Sequence, residues 1–157
     1  PIKPAVVVQK MFDSQVSGVI FTTDPVSGRD VIVIEAGYGL GEGVVSGLVD
    51  VDRYYVNKFD GSVINIHIGN KAFKVTRHPS GKGTSMESVD QDLRVVPYLN
   101  EEDIKVKIAM ALEEHYALSQ DIEFGITNGK VSILQTRPIT MRKIGDGLQL
   151  SQFSLGK

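Results

Sequence analysis

The stretch DIEFGITNGKVSILQTRPIT, Asp121 to Thr140, sets two carboxylates, an amide and a guanidinium among alternating apolar residues. Asp121 and Glu123 interleave with Ile122, Phe124 and Ile126, and Gln135 and Arg137 follow beyond Asn128-Gly129. Side chains on a strand alternate between faces, and Asn-Gly between two such runs marks a hairpin turn. A carboxylate and an amide oxygen are hard ligands, and a guanidinium is a rigid donor fork. Together they suit Mg²⁺ and the charged end of a nucleoside triphosphate.

Whether these groups meet depends on the turn. A two-residue turn pairs Thr127 with Lys130 and Glu123 with Leu134, which sends Glu123 and Gln135 to opposite faces. A three-residue loop, Thr127-Asn128-Gly129, with Gly129 left-handed and a G1 bulge, pairs Ile126 with Lys130 and Asp121 with Gln135, and sets Glu123 opposite Ile133. In that second register Asp121, Glu123, Gln135 and Arg137 share one face with Val131 and Ile133. Ile122, Phe124, Ile126 and Leu134 share the other. The competing structural reading is a solvated sheet face with an exposed ion pair. Two apolar neighbours and a mid-strand glutamine argue instead for the wall of a cleft, so the second register is the expectation.

The elements that would position this hairpin follow from the rest of the chain. AVVVQK, from Ala5 to Lys10, reads as a buried strand, and GVIFT, from Gly18 to Thr22, as a second. TDPVSGRD is a turn segment, and VIVIEA, from Val31 to Ala36, is apolar enough for a central strand. Glycines at 37, 39, 41, 43 and 47 form a loop that enters a short helix from about Glu42 to Leu48. Tyr54 to Lys58 and Ser62 to Ile68 flank Asp60-Gly61 as a hairpin, Lys71 to Val75 adds a strand, and TRHPSGKGTSMESVDQD reads as an exposed loop. Asn100 suits an N-cap. Ile104, Ile108, Ala111, Leu112, His115 and Leu118 recur at helical spacing, predicting a helix from about Glu101 to Leu118. The sum is α+β, mainly antiparallel sheet covered by one long helix and a short Gly-rich one.

With 157 residues the chain is one domain or part of one, and its 41% hydrophobic and 23% charged residues are ordinary for a globular fold. A formal net charge of −2 provides no basic field for nucleic acid. The absence of cysteine excludes disulfides, thiolate metal sites and a cysteine nucleophile, and fits a cytoplasmic setting. No apolar run approaches the roughly 18 residues of a membrane span. A chain that opens on Pro1 and runs into a strand is expected to be a piece of a longer polypeptide.

Five motifs, VVVQKM, SGVIFTTDPVSG, GLGEGVVSGLV, QDIEFGI and ILQTRPIT, occur in an order that resembles the ATP-grasp nucleotide-binding domain of the phosphoenolpyruvate synthase and pyruvate phosphate dikinase family. Rifampin phosphotransferase and the carbohydrate (glucan) water dikinases are similar. The match runs from about Ala5 to Thr140. It implies an ATP-grasp subdomain over residues 1–143, followed by an exit linker at 144–157, with ATP and Mg²⁺ as ligands. Gln9 matches the position that contacts the adenine base, and the backbone at Lys10 and Met11 the adenine edge. Glu123 and Gln135 match the metal pair that bridges phosphate oxygens, and Arg137 the arginine that stabilises the phosphoryl group in flight. Asp121 carries over no role and suits a strand-end cap, Glu42 suits close helix packing, and His115 suits a buried structural histidine.

The resemblance also has gaps. The family usually has proline where Val51 stands and glycine where Ala117 stands. Nothing here matches the preceding subdomain with its phosphate-binding lysine and arginine, the phosphohistidine-bearing swivelling domain, or the pyruvate-binding domain. The implied parent passes a phosphoryl group from ATP through a histidine to pyruvate, giving AMP and phosphoenolpyruvate, and the fragment alone should not turn over. An antibiotic phosphotransferase, a carbohydrate dikinase or a non-catalytic nucleotide-binding module would use the same motifs.

Overall fold

A computed structural model describes residues 3, 5–99, 106–139, 141–144 and 147–150. Six antiparallel strands form the central sheet: β1 (Val16–Phe21), β2 (Ile32–Tyr38), β3 (Asp52–Val56), β4 (Val63–His67), β7 (Gln120–Thr127) and β8 (Lys130–Pro138). Their order is β4-β3-β2-β1-β7-β8. β5 (Phe73–Arg77) and β6 (Thr84–Ser88) make a separate ribbon, and β9 (Met141–Ile144) pairs with β10 (Gly147–Leu150) in another. Among the described residues no helix is long and apolar enough to cross a membrane.

Alternation gives the sheet two different faces. On one, Val16, Ile20, Ile32, Ile34, Tyr54, Val56, Ile122, Phe124 and Ile126 are buried in a single cluster with Ala109 of helix α2 (Val106–Tyr116). Gly18 belongs to this face because the Phe124 ring lies across it. A Cβ there would come within 2.6 Å of the ring and 2.2 Å of the Glu35 carbonyl oxygen. The opposite face carries helix α1 (Gly41–Val45), whose Val44 packs over Gly37, and the β5–β6 ribbon, whose Val75 joins Leu40, Val44 and Val49.

One buried ion pair ties β3 to the chain beyond β4. Lys71 Nζ lies 2.5 Å from Asp52 Oδ1, with both side chains wholly buried. Asp52 also accepts from the backbone N–H groups of Gly69 and Tyr98 and from the Tyr54 hydroxyl, so each carboxylate oxygen has partners.

Four expectations need correction. Residues 5–10 form no strand, and Val6, Val7 and Val8 are 82–94% exposed. A β-branched run makes a strand only where a neighbouring strand takes up its backbone groups, and no described segment does so here. The supposed exposed loop after β5 folds back as β6, because Val75 and the backbone at Leu40 anchor the ribbon to α1. The inward face of α2 is Val106, Ala109, Met110, Leu112 and Glu113; of the expected stripe Leu112 packs on the core, whereas Ile108, Ala111 and His115 are exposed. Glu113 can lie there because Lys58 Nζ donates to it at 3.0 Å. His115 is exposed, edge-on to Tyr116, rather than buried. The expected cap at Asn100 and first turn at 101–105 fall outside the described residues.

Candidate functional site

The β7–β8 hairpin turns through Asn128 and Gly129 alone, with φ of 52° and 71°. Two consecutive positive φ values define the tight type I′ turn that Asn-Gly favours. Thr127 therefore pairs with Lys130, and the three-residue loop is not formed. The register instead shifts between Glu123 and Phe124: Phe124 faces Ile133, Glu123 faces Gln135, and Leu134 is the extra residue of a bulge. Beyond it Asp121 faces Arg137. Directly opposed residues share a face, so Asp121, Glu123, Gln135 and Arg137 come together. Val131 and Ile133, opposite Ile126 and Phe124, belong to the core face and not to this one.

Asp121 does more than cap a strand. Its Oδ2 accepts from Arg137 Nε at 2.8 Å and lies 2.7 Å from a terminal guanidinium nitrogen. The carboxylate is only 12% exposed and the arginine 51%, so Asp121 is the buried anchor and Arg137 the half-exposed arm. The remaining N–H groups of Arg137 have no partner among the described residues. The spacing that puts Asp121 opposite Arg137 was hidden from the sequence by the bulge.

Glu123 is half-buried between Asp121 and the Val19 position of β1. Burial pushes its pKa up, the Asp121 charge adds to that, and Arg137 pulls it down. A desolvated carboxylate beside another carboxylate gains from any cation placed on it. Neither the Glu123 carboxylate nor the Gln135 amide has a hydrogen-bond partner among the described residues, so both oxygens are available. No cluster of three or more His, Asp or Glu that could hold a metal occurs among the described residues. Mg²⁺ is commonly held by one or two carboxylates, with water and substrate phosphate completing the shell.

The expected adenine segment is less closely tied in. Gln9, Lys10 and Met11 are exposed and lie outside any strand, Met11 at 58%. What joins them to the site is Phe12, whose ring sits against Gly125, two residues from Glu123 on the same face. Gly125 is required there, since a Cβ would come within 2.7 Å of the Phe12 ring and 2.4 Å of the Ser14 hydroxyl oxygen. Glu42 is an α1 residue that accepts a hydrogen bond from the Thr84 hydroxyl, joining the helix to the β5–β6 ribbon.

The row that holds Glu123 and Gln135 runs on across the sheet through Val19 to Glu35 and Arg53. Arg53 Nε donates to Glu35 at 2.7 Å. A cavity of about 410 Å³ lined by Arg53, His67 and Asn70 opens at that far end, away from Glu123. Sequence reasoning missed this pair because nothing in the local pattern marks it; only the register across four strands aligns it.

The model of the family described as pyruvate phosphate dikinase, AMP/ATP-binding domain, matches residues 2–151. A probable phosphoenolpyruvate synthase of Archaeoglobus fulgidus is 43% identical over 87% of this chain and 18% of its own length. The rifampicin phosphotransferase of Bacillus subtilis is 39% identical over 87% and 16%, and the prodigiosin synthesizing transferase PigC of Serratia marcescens 37% identical over 87% and 16%. The chain thus spans a fifth or less of the length of these curated relatives.

Proposed function

Because the chain belongs to the pyruvate phosphate dikinase AMP/ATP-binding domain family, we propose that it is the part of an ATP-grasp clamp that grips the magnesium-bound polyphosphate of ATP. The observation that carries this is the direct opposition of Glu123 and Gln135, with Asp121 and Arg137 as the next pair on the same face. Glu123 and Gln135 would hold Mg²⁺, which would supply neutralisation of phosphate charge. Arg137, oriented by Asp121, donates to the phosphoryl oxygens as charge shifts among them. Gln9 and the backbone at Lys10 and Met11 take the adenine.

The parent reaction is that of a phosphoenolpyruvate synthase-like dikinase, in which ATP and water give AMP, orthophosphate and a phosphohistidine on a second domain, whose phosphoryl group passes on to pyruvate. The likeness to a relative named phosphoenolpyruvate synthase favours this reading. A rifampicin phosphotransferase is the second reading, since a relative of that name aligns over the same share of the chain. In both, half a clamp binds nucleotide weakly and does not turn over, because transfer depends on groups positioned from both sides.

Calorimetry on the full polypeptide tests the site. Mg-ATP should bind with an affinity that falls sharply when Mg²⁺ is removed, and Glu123→Ala should abolish that metal dependence. Equal metal dependence in Glu123→Ala would overturn the assignment. Assaying pyruvate and rifampicin as acceptors in the same preparation separates the two readings.

A further inference from the structure

The β5–β6 ribbon ends in a basic tip that the reading above does not use. The six-residue connection from His78 to Gly83 is closed by His78 N–H donating to the Gly83 carbonyl at 3.0 Å and Gly81 N–H donating to the His78 carbonyl at 2.8 Å. Gly81 and Gly83, at φ of 74° and 73°, supply the left-handed residues this closure requires. His78 Nδ1 accepts from the Ser80 backbone N–H at 3.1 Å. The tip is therefore a built turn.

Its charges are left over. Lys74 lies 3.6 Å from Glu87 on the ribbon's outer side, whereas Arg77 and Lys82 are exposed and have no carboxylate within ion-pair distance among the described residues. The ribbon's orientation decides where Arg77 faces. Val75 is buried against Leu40, Val44 and Val49, and Arg77, two residues on, takes the same side. Thr84 is paired with Arg77, and its hydroxyl donates to Glu42 Oε2 at 3.0 Å, which fixes that side of the tip on the first turn of α1.

From there the path to the polyphosphate site is short. Gly41, beside Glu42, stands over Ser17 of β1, where a Cβ would come within 3.9 Å of the Ser17 Cβ. Ser17 pairs with Gly125, two residues along β7 from Glu123 and on its face. Helix α1, which holds the tip through Glu42, also lies beside β7, the strand of Glu123.

We propose that the β5–β6 tip is a cationic arm of the nucleotide site, with Arg77 and Lys82 contacting the polyphosphate oxygens that Glu123, Gln135 and Arg137 leave uncovered. The inference rests on the reading of that face as a Mg-polyphosphate site. Glu42 acts as the tether that holds the arm in place through Thr84, and it touches no ligand itself.

The test uses the full polypeptide with three probes: Mg-ATP, Mg-tripolyphosphate and adenosine. The double variant Arg77→Ala/Lys82→Ala should lose about tenfold in affinity for the first two, the order expected for two solvent-exposed charge contacts, and nothing for adenosine. Its Mg-ATP affinity should also fall less steeply with salt than the wild type's. Thr84→Val, which frees the tip but keeps both cations, should show a smaller loss. Wild-type affinity for Mg-ATP in the double variant, with the metal dependence of binding still lost in Glu123→Ala, would overturn the arm and leave the site standing. A loss that extends equally to adenosine would also overturn it. Failure of the wild type to bind Mg-tripolyphosphate, with no effect of Glu123→Ala on Mg-ATP, would remove arm and site together.

Discussion

Replacing Glu123 by Gln should stabilise the ligand-free chain at neutral pH while weakening its response to Mg-ATP, two effects of opposite sign from one atom. Asp121 and Glu123 are two residues apart on one strand face, about 6.7 Å at strand spacing. Two unit charges at that distance repel by about 0.6 kcal/mol in water and about 2.5 kcal/mol at an effective dielectric of 20. Glu123 is only half-buried and Arg137 offsets part of the repulsion, so a net gain of about 0.5–1 kcal/mol is expected after solvent screening. For a chain of this size that is a rise of about 1–4 °C in Tm. The sign follows from the raised pKa of Glu123: burial, then Asp121, disfavours its charged form in the native state. Its contribution to stability is fully present below the ordinary glutamate pKa and is lost as pH rises through the raised native value. The advantage of Glu123→Gln should therefore be largest at neutral pH and vanish in acid, where the wild-type residue is already protonated. Thermal melts at the two pH values read this directly. In the full polypeptide, Mg-ATP at a hundred times its Kd should stabilise the wild type by about 2.7 kcal/mol, and Glu123→Gln should lose most of that shift. A variant less stable than wild type at neutral pH would refute the electrostatic argument. A variant that keeps the full Mg-ATP shift would refute the metal site.

Lys71→Met should cost about 3–5 kcal/mol in urea denaturation, because it leaves the wholly buried Asp52 carboxylate without its cation; a loss below 1 kcal/mol would mean the pair is not buried. Ala117 ends α2 at a φ of 52°, so Ala117→Gly should raise stability by about 0.5–1 kcal/mol in the same assay. The Tyr54 hydroxyl is pushed up to about 12 by burial and the neighbouring Asp52 charge. Ultraviolet titration should show one tyrosine ionising near that pH, and the stability it contributes should be complete below the ordinary tyrosine value and lost as pH rises through about 12. Asp121→Asn should lower the rate of phosphoryl transfer in the full polypeptide more than it weakens Mg-ATP binding, since it loosens Arg137 and leaves Glu123 in place; an equal effect on both would argue that Arg137 acts in ground-state binding.

Where local pattern and tertiary environment agree, the sequence was readable. The β1, β2, β3 and β4 segments all lie within a few residues of their expected positions: alternation or a continuous apolar run marks β1, β2 and β3, and the Asp60-Gly61 turn places the exposed β4. The failures share a cause. Val6, Val7 and Val8 have high strand propensity, yet a strand needs a partner that composition does not report. Gly, Ser and Lys between Thr76 and Asp92 read as loop, but the buried Val75 and its bridge to Gly39 impose a ribbon. In α2 the true inner stripe contains Glu113, acceptable only because Lys58 arrives from the turn after β3. Asp52 and Lys71, each unremarkable in its own segment, form a buried pair that no window of sequence contains.

The hairpin shows how a site can be legible when its turn is not. Glu123 and Gln135 share a face only if one residue between them goes unpaired, and the expected three-residue loop takes Thr127 out of the ladder for this. The chain instead leaves Leu134 unpaired, inside the strand. Parity explains why the face came out the same: one extra residue anywhere between Glu123 and Gln135 brings the two onto one side of the pleat, whether it sits in the loop or in a bulge. Its location still matters for the chemistry. A bulge in the loop would leave Asp121 opposite Gln135, whereas the bulge at Leu134 sets Asp121 opposite Arg137 and Glu123 opposite Gln135. Only the second arrangement gives the guanidinium its own carboxylate and leaves Glu123 and Gln135 facing each other with their oxygens free, so the position of a single unpaired residue separates the group that orients the arginine from the groups that can take a cation.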